Sequence, residues 1–167
     1  METINEAKEY LEKNFAKGVF CPCCNQFVKL YKRKLNSGMA ITLIRMYKHN
    51  PYGWINVKDY LRENSFRNNH DWTLLGHWGL IEENNKPPDN GGKTLGEWRI
   101  TPKGREFVLN HIKVPKRVMM YNNSIYGFEG GQISIIEALG SKFNYHELMR
   151  QVFGELPFLF SHNNETE

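Results

Sequence analysis

The stretch "NSGMAITLIRMYKHN", residues 36–50, constrains the fold more than any other part of the chain. Asn36 or Ser37 is placed to cap a helix, and Met39, Ile41, Leu43, Ile44 and Met46 spread around most of its circumference instead of forming one stripe. A helix that is apolar on most sides has to be covered on most sides, so this one belongs at the centre of a core. The rest of the chain has the means to cover it: of 167 residues, 40% are hydrophobic and 13% aromatic, which suits one domain of ordinary size with appendages. No apolar run approaches the ~20 residues that span a bilayer, and the opening "METINEAKEYLEKNF" is acidic and amphipathic, unlike a signal peptide. The expectation is a cytoplasmic protein without a membrane partner.

Local signals order the elements around that helix. Thr3 and Glu6 form a capping box for a first helix from Ile4 to about Lys17, with Ile4, Ala7, Leu11 and Phe15 on one stripe and Gly18 as its stop. After the central helix, "GWINV" predicts a short strand and residues 57–64 a short helix. "SFRNN" is a polar turn, and "HDWTLLGHWG" a second helix. "LIEENN" and "TLGEWRI" predict strands on either side of "KPPDNGG", which no helix or strand interior tolerates. Thr101-Pro102 opens a further helix with a hydroxyl cap and proline at its first position. "RVMMYNNSIYGF" predicts a hairpin turning at Asn122-Asn123, and Asn144 with Glu147 a last helix cap.

Helix, short strand, helix, turn, helix, hairpin, helix is the order of a winged helix-turn-helix. The segment "LLGHWGLIEENN…GEWRITPKGREFV" resembles the end of that domain in MarR and PadR-like regulators, through Leu75, Gly79, Leu80, Ile81, Thr101, Gly104 and Arg105. The whole chain is also similar to uncharacterised phage and bacterial proteins that join a cysteine-containing start to a winged helix. The fold class expected is therefore α+β, a winged helix-turn-helix core with an N-terminal helix and a small C-terminal α/β appendage. Its expected divisions are 1–36, 37–112 for the winged helix, 113–160 for the appendage and 161–167 for a disordered tail.

Charge is distributed unevenly. The net charge is only +4, yet no acidic residue lies between Glu12 and Asp59, a window that includes Lys29, Lys32, Arg33, Lys34 and Arg45. A one-sided positive field favours a polyanion, most often nucleic acid. The run "KLYKRK" predicts backbone contact through Lys29, Lys32, Arg33 and Lys34, with Tyr31 among them. By the resemblance, the helix at 68–78 meets a groove through Asn68, Asn69, His70, Thr73, Gly76 and His77, with Arg67 in the turn and Lys86 and Lys93 on the wing. That helix has no Lys or Arg, so it lacks the commonest specific contact, arginine to guanine. A winged helix used for docking protein is the rival reading.

All three cysteines fall in "VFCPCCNQF". Cys21 and Cys24 have the C-x-x-C spacing of half a structural zinc site, but none of the six histidines forms a matching pair. The segment reads as packed cysteines, as a local disulfide or reactive thiol, or as zinc ligands completed across a homodimer. Enzymatic signals are absent: His49-Asn50 faintly suggests an HNH nuclease, but its acidic ligand is missing, and no phosphate loop or Ser/His/Asp set stands out. The expected function is non-enzymatic binding of nucleic acid, most readily double-stranded DNA, as a regulator. The alternative is a protein-binding adaptor or inhibitor.

Overall fold

The computed structural model describes residues 3–86, 89, 91–92 and 96–152. Lys93, the apolar "LPFLF" and the tail 161–167 lie outside the described residues. The fold is α+β, with helices and antiparallel sheets, and it separates into two compact units. One is Met1–Lys34 with Pro115–Gly131, and the other is Leu35–Val114 with Gln132–Glu167. The expected 113–160 appendage is thus divided. Its hairpin groups with the N-terminal segment and its helices with the central one, because strand pairing joins residues far apart in sequence.

In the first unit, α1 (Ile4–Asn14) starts at the predicted box: Glu6 N–H donates to Thr3 Oγ1 at 3.2 Å and Thr3 N–H to Glu6 Oε2 at 3.0 Å. The helix ends three residues before Lys17, with Phe15 as its C-cap. Ala7 and Phe15 are buried as the stripe predicts, but Ile4 is 70% exposed. Phe15 meets Tyr121 and Tyr126 edge-on, at 5.1 and 5.2 Å between centroids. Gly18 then turns the chain at φ +89°, where a Cβ would also lie 2.5 Å from the Phe27 ring. A short hairpin follows, β1 (Val19–Phe20) against β2 (Phe27–Val28).

The last four residues of the basic run form a strand. β3 (Tyr31–Lys34) lies at the edge of a three-stranded sheet, antiparallel to β6 (Val114–Tyr121), which neighbours β7 (Ser124–Ile133). Asn122 and Asn123 join β6 to β7 with φ of 50° and 59°, the left-handed pair that a two-residue hairpin of matching twist demands.

In the second unit, α2 (Ser37–His49) is the hub. Asn36 Oδ1 accepts the Met39 N–H at 2.9 Å, and Met39, Ala40, Ile41, Thr42, Leu43, Ile44 and Met46 are all buried. Around it pack α4 (Pro102–Val108), α5 (Ile135–Leu139), α6 (Tyr145–Val152), β5 (Trp98–Ile100) and a 3₁₀ helix at Asp71–Trp78. α3 (Val57–Glu63) precedes the 3₁₀ helix, capped by Asn56. β4 (Ile81–Glu83) pairs with β5, and Ile55 bridges Trp98 through two backbone bonds of 2.8 Å. The predicted strand "GWINV" is reduced to that bridge. Thr101 caps α4 as expected, its hydroxyl accepting the Gly104 N–H at 3.0 Å, and Asn144 Oδ1 caps α6 from the Glu147 N–H at 3.0 Å.

The segment expected as a second α-helix winds as 3₁₀. Trp72, Leu75 and Trp78 recur every third residue, and all three are buried. Three residues per turn is the 3₁₀ period, so this winding stacks the three side chains in one row toward the core. Left-handed residues at each end, His70 at φ 61° and Gly79 at φ 71°, confine it to one short element.

Candidate functional site

Burial and hydrogen bonding sort the residues proposed for a groove. Asn68 Oδ1 accepts from the His70 N–H at 3.0 Å and the Trp72 indole N–H at 3.2 Å, so its carbonyl holds the turn together. The Thr73 hydroxyl donates to the His70 carbonyl at 3.0 Å. Gly76 does not face outward: a Cβ there would sit 3.6 Å from Trp98 and 3.8 Å from the Ile81 carbonyl, because the 3₁₀ twist turns it toward the hairpin. His77 is half-buried, and burial lowers its pKa from the ordinary value of 6.5. Asn69, His70 and Arg67 are exposed, and Lys86 is exposed beyond β4 with its N–H on Asn84 Oδ1. Direct base reading by this element therefore rests on few groups.

Positive charge converges elsewhere in the same unit. A cleft of about 530 Å³ is lined by Arg45, Arg67 and Lys142, with Asn36, Ser37, Gly38 and Asn69 as polar neighbours and Phe66 and Phe143 as aromatic walls. Among the described residues no Asp or Glu lines it. Three parts of the chain supply it. Ser37, Ile41 and Arg45 form one stripe of α2 at four-residue spacing. Ser65, Phe66, Arg67 and Asn69 come from the turn after α3, and Lys142 and Phe143 from the loop before α6.

Arg45 is the least ordinary of these cations. Its guanidinium carbon lies 3.8 Å from the Phe66 ring centroid, and burial lowers its pKa, with nearby Tyr60 opposing. Among the described residues no carboxylate pairs with Arg45, Arg67 or Lys142. Two other arginines of the unit have partners. Arg99 covers Trp54 at 4.2 Å and bonds Glu82, while Arg105 covers Tyr52 at 4.7 Å and donates to the Pro51 carbonyl at 3.3 Å. A half-buried cation facing a cleft without a counter-charge carries an uncompensated desolvation cost, which an anion entering the cleft would offset. Asn69 is held close to the mouth of α2: a Cβ on Gly38 would lie 2.5 Å from Asn69 Nδ2.

The basic strand of the first unit is a second cationic surface. Its register, Lys32 opposite Met119, Arg33 opposite Val118 and Lys34 opposite Arg117, places Lys32, Lys34 and Arg117 on one face and Arg33 with Tyr31 on the other. The run cannot act as a single patch. Lys32 pairs with Glu129 at 3.2 Å, and Lys29 lies 5.9 Å from the Tyr31 ring centroid. Lys34 and Arg117 are like charges directly opposed, an arrangement that costs stability unless something negative lies over it.

The cysteines occupy the turn of the β1–β2 hairpin, all three as free thiols. Cys21 N–H donates to the Gln26 carbonyl at 2.8 Å, Asn25 N–H to the Cys21 carbonyl at 2.8 Å, and Asn25 sits at φ 58°. Backbone N–H groups of Cys24 and Cys23 also reach the Cys21 sulfur and hold its pKa below the ordinary thiol value, with burial opposing. Among the described residues, no group of three or more His, Cys, Asp or Glu is placed to hold a metal ion.

Sequence reasoning did not assign Arg45, Lys142 or Arg117 to a site. The α2 stripe Ser37, Ile41, Arg45 was available as a signal, since it carries a cation at the spacing of one helix face. Lys142 and Arg117 had none, because their partners are set by non-local packing. No family model, curated protein or solved structure matches this chain. No helix among the described residues is long and apolar enough to cross a membrane.

Proposed function

We propose that this chain is a winged helix-turn-helix protein that binds nucleic acid, double-stranded DNA first, mainly through phosphates. The order α2, the Ile55 bridge, α3, turn, 3₁₀ helix, β4–β5 hairpin and α4 supports the fold reading. The observation that carries the function is the acid-free cleft with Arg45, Arg67 and Lys142. It adjoins the turn that leads into the 3₁₀ helix, the element this fold presents to a groove. Arginine forks match phosphate oxygens bidentately, and Lys142 adds a point charge. The Lys32, Lys34 and Arg117 face offers a further phosphate surface. Sequence is read weakly, because the 71–78 element lacks Lys and Arg. The role is binding, with no catalytic group assigned.

The lack of base-reading cations on that element also favours a second reading, a winged helix that docks a protein. One experiment separates them: fluorescence anisotropy with a mixed-sequence duplex across a salt series. The DNA reading expects tight binding at low salt and a linear fall of log K with log salt. It expects a shallower slope for the triple variant Arg45→Met, Arg67→Met, Lys142→Met than for the parent. Absence of binding at about 20 mM salt would overturn it, since non-specific affinity is almost wholly electrostatic.

A further inference from the structure

Among the features the phosphate surfaces do not use is the cysteine hairpin. Two strands of two residues each would hold a loop loosely, yet residues 21–26 are closed by the Cys21–Gln26 and Asn25–Cys21 backbone bonds and by a left-handed Asn25. This turn brings the N–H groups of Cys24 and Cys23 to the Cys21 sulfur, and the side chains of both Cys24 and Cys23 also reach it. Two thiolates on one tetrahedral zinc stand about 3.8 Å apart for Zn–S bonds of about 2.3 Å. Amide donors to a ligating sulfur are the outer contacts that such sites use to hold a thiolate. Cys21 and Cys24 have the C-x-x-C spacing of a zinc ligand pair, and Cys23 lies inside that pair.

We propose that Cys21 and Cys24 are one half of a structural zinc site, and that a second copy of this chain completes it with the same two residues. A closed structural site takes four ligands, and a two-fold axis through the metal converts two cysteines into four equivalent ones. Among the described residues nothing else in the chain is placed to provide the missing pair. A separate observation favours a chain partner at this hairpin. Phe20 and Phe27, paired across β1 and β2 and stacked edge-on at 5.4 Å, are 60% and 55% exposed. Two aromatic rings left in water beside the cysteines are apolar area that a second hairpin would cover. This inference is independent of the phosphate-binding reading.

The test is made on the full chain purified under reducing conditions with added zinc chloride. Metal content is measured by elemental analysis and mass by light scattering. The expected result is one zinc per two chains in a dimer, returning to monomer on chelation. Cobalt(II) in place of zinc gives the intense sulfur-to-metal absorption of a thiolate-rich tetrahedral site. Cys21→Ser and Cys24→Ser each abolish metal and dimer while the far-ultraviolet circular dichroism is retained. Cys23→Ser leaves all three readouts unchanged. A monomer that binds no zinc, a monomer that binds one zinc per chain, or a zinc stoichiometry unaffected by Cys21→Ser would each overturn the proposal.

Discussion

Replacing Arg45 with methionine separates a cation kept for a ligand from one kept for the fold. Methionine preserves the unbranched stem along α2 and removes the charge that lies 3.8 Å over Phe66. The cation–π attraction between guanidinium and ring contributes about 0.5–2 kcal/mol, and a thioether sulfur against the same ring restores about 0.3–1.5 kcal/mol. No carboxylate is orphaned by the change, because none pairs with Arg45 among the described residues. The net change in stability is therefore expected within about 1 kcal/mol, a shift of no more than about 4 °C in Tm for a chain of this size. Binding should respond more strongly. Removing one phosphate contact lowers the salt slope by about 0.9, which corresponds to about 15-fold weaker DNA binding at 50 mM salt and about fourfold at 200 mM. Thermal unfolding followed by circular dichroism and anisotropy at both salts measure the two quantities on one preparation. A drop in Tm beyond about 8 °C with unchanged DNA affinity would show that Arg45 is structural. An affinity loss equal at both salts would show that it does not meet a phosphate.

Two further substitutions test how the second unit is held together. A Cβ on Gly104 would lie 2.0 Å from the Leu80 carbonyl oxygen, which accepts the Thr101 N–H at 3.1 Å, and 2.8 Å from Ile100. Overpacking against this backbone costs about 3 kcal/mol, and alanine's better helix propensity returns about 1 kcal/mol. Gly104→Ala should thus lower Tm by about 4–8 °C, and an unchanged or raised Tm would refute the close approach of α4 to the hairpin. For His77, burial lowers the folded pKa below its unfolded value, so the unfolded chain binds more protons around and below pH 6.5. Stability should fall as pH drops through that value, and His77→Gln should lose less Tm between pH 7 and pH 5 than the parent. Identical pH profiles would refute the assignment.

Much of this protein is legible locally. Thr3, Asn36, Thr101 and Asn144 announce helix starts because a short polar side chain can reach a backbone N–H three residues on. Asn122-Asn123 announces its hairpin because few residues accept two successive left-handed conformations. The apolar circumference of residues 39–46 announces a central helix. The period-three stripe Trp72, Leu75, Trp78 was equally available for the 3₁₀ helix, but it also fits an α-helical face. Which winding prevails depends on what the stripe packs against.

Residue identities alone determined that a cationic stretch without acidic residues, between Glu12 and Asp59, and a cysteine turn exist. Only the tertiary structure decided what they form. Pairing of β3 with β6 splits the "KLYKRK" run between two faces and sets Lys34 against Arg117. Packing of the 65–69 turn and the 142–143 loop beside α2 gathers Arg45, Arg67 and Lys142 into one acid-free cleft. Caps and turns involve residues a few positions apart and are written in short strings. Strand partners and cleft walls depend on long chain segments closing on one another, and that closure is governed by the burial of the whole core rather than by any neighbouring residue.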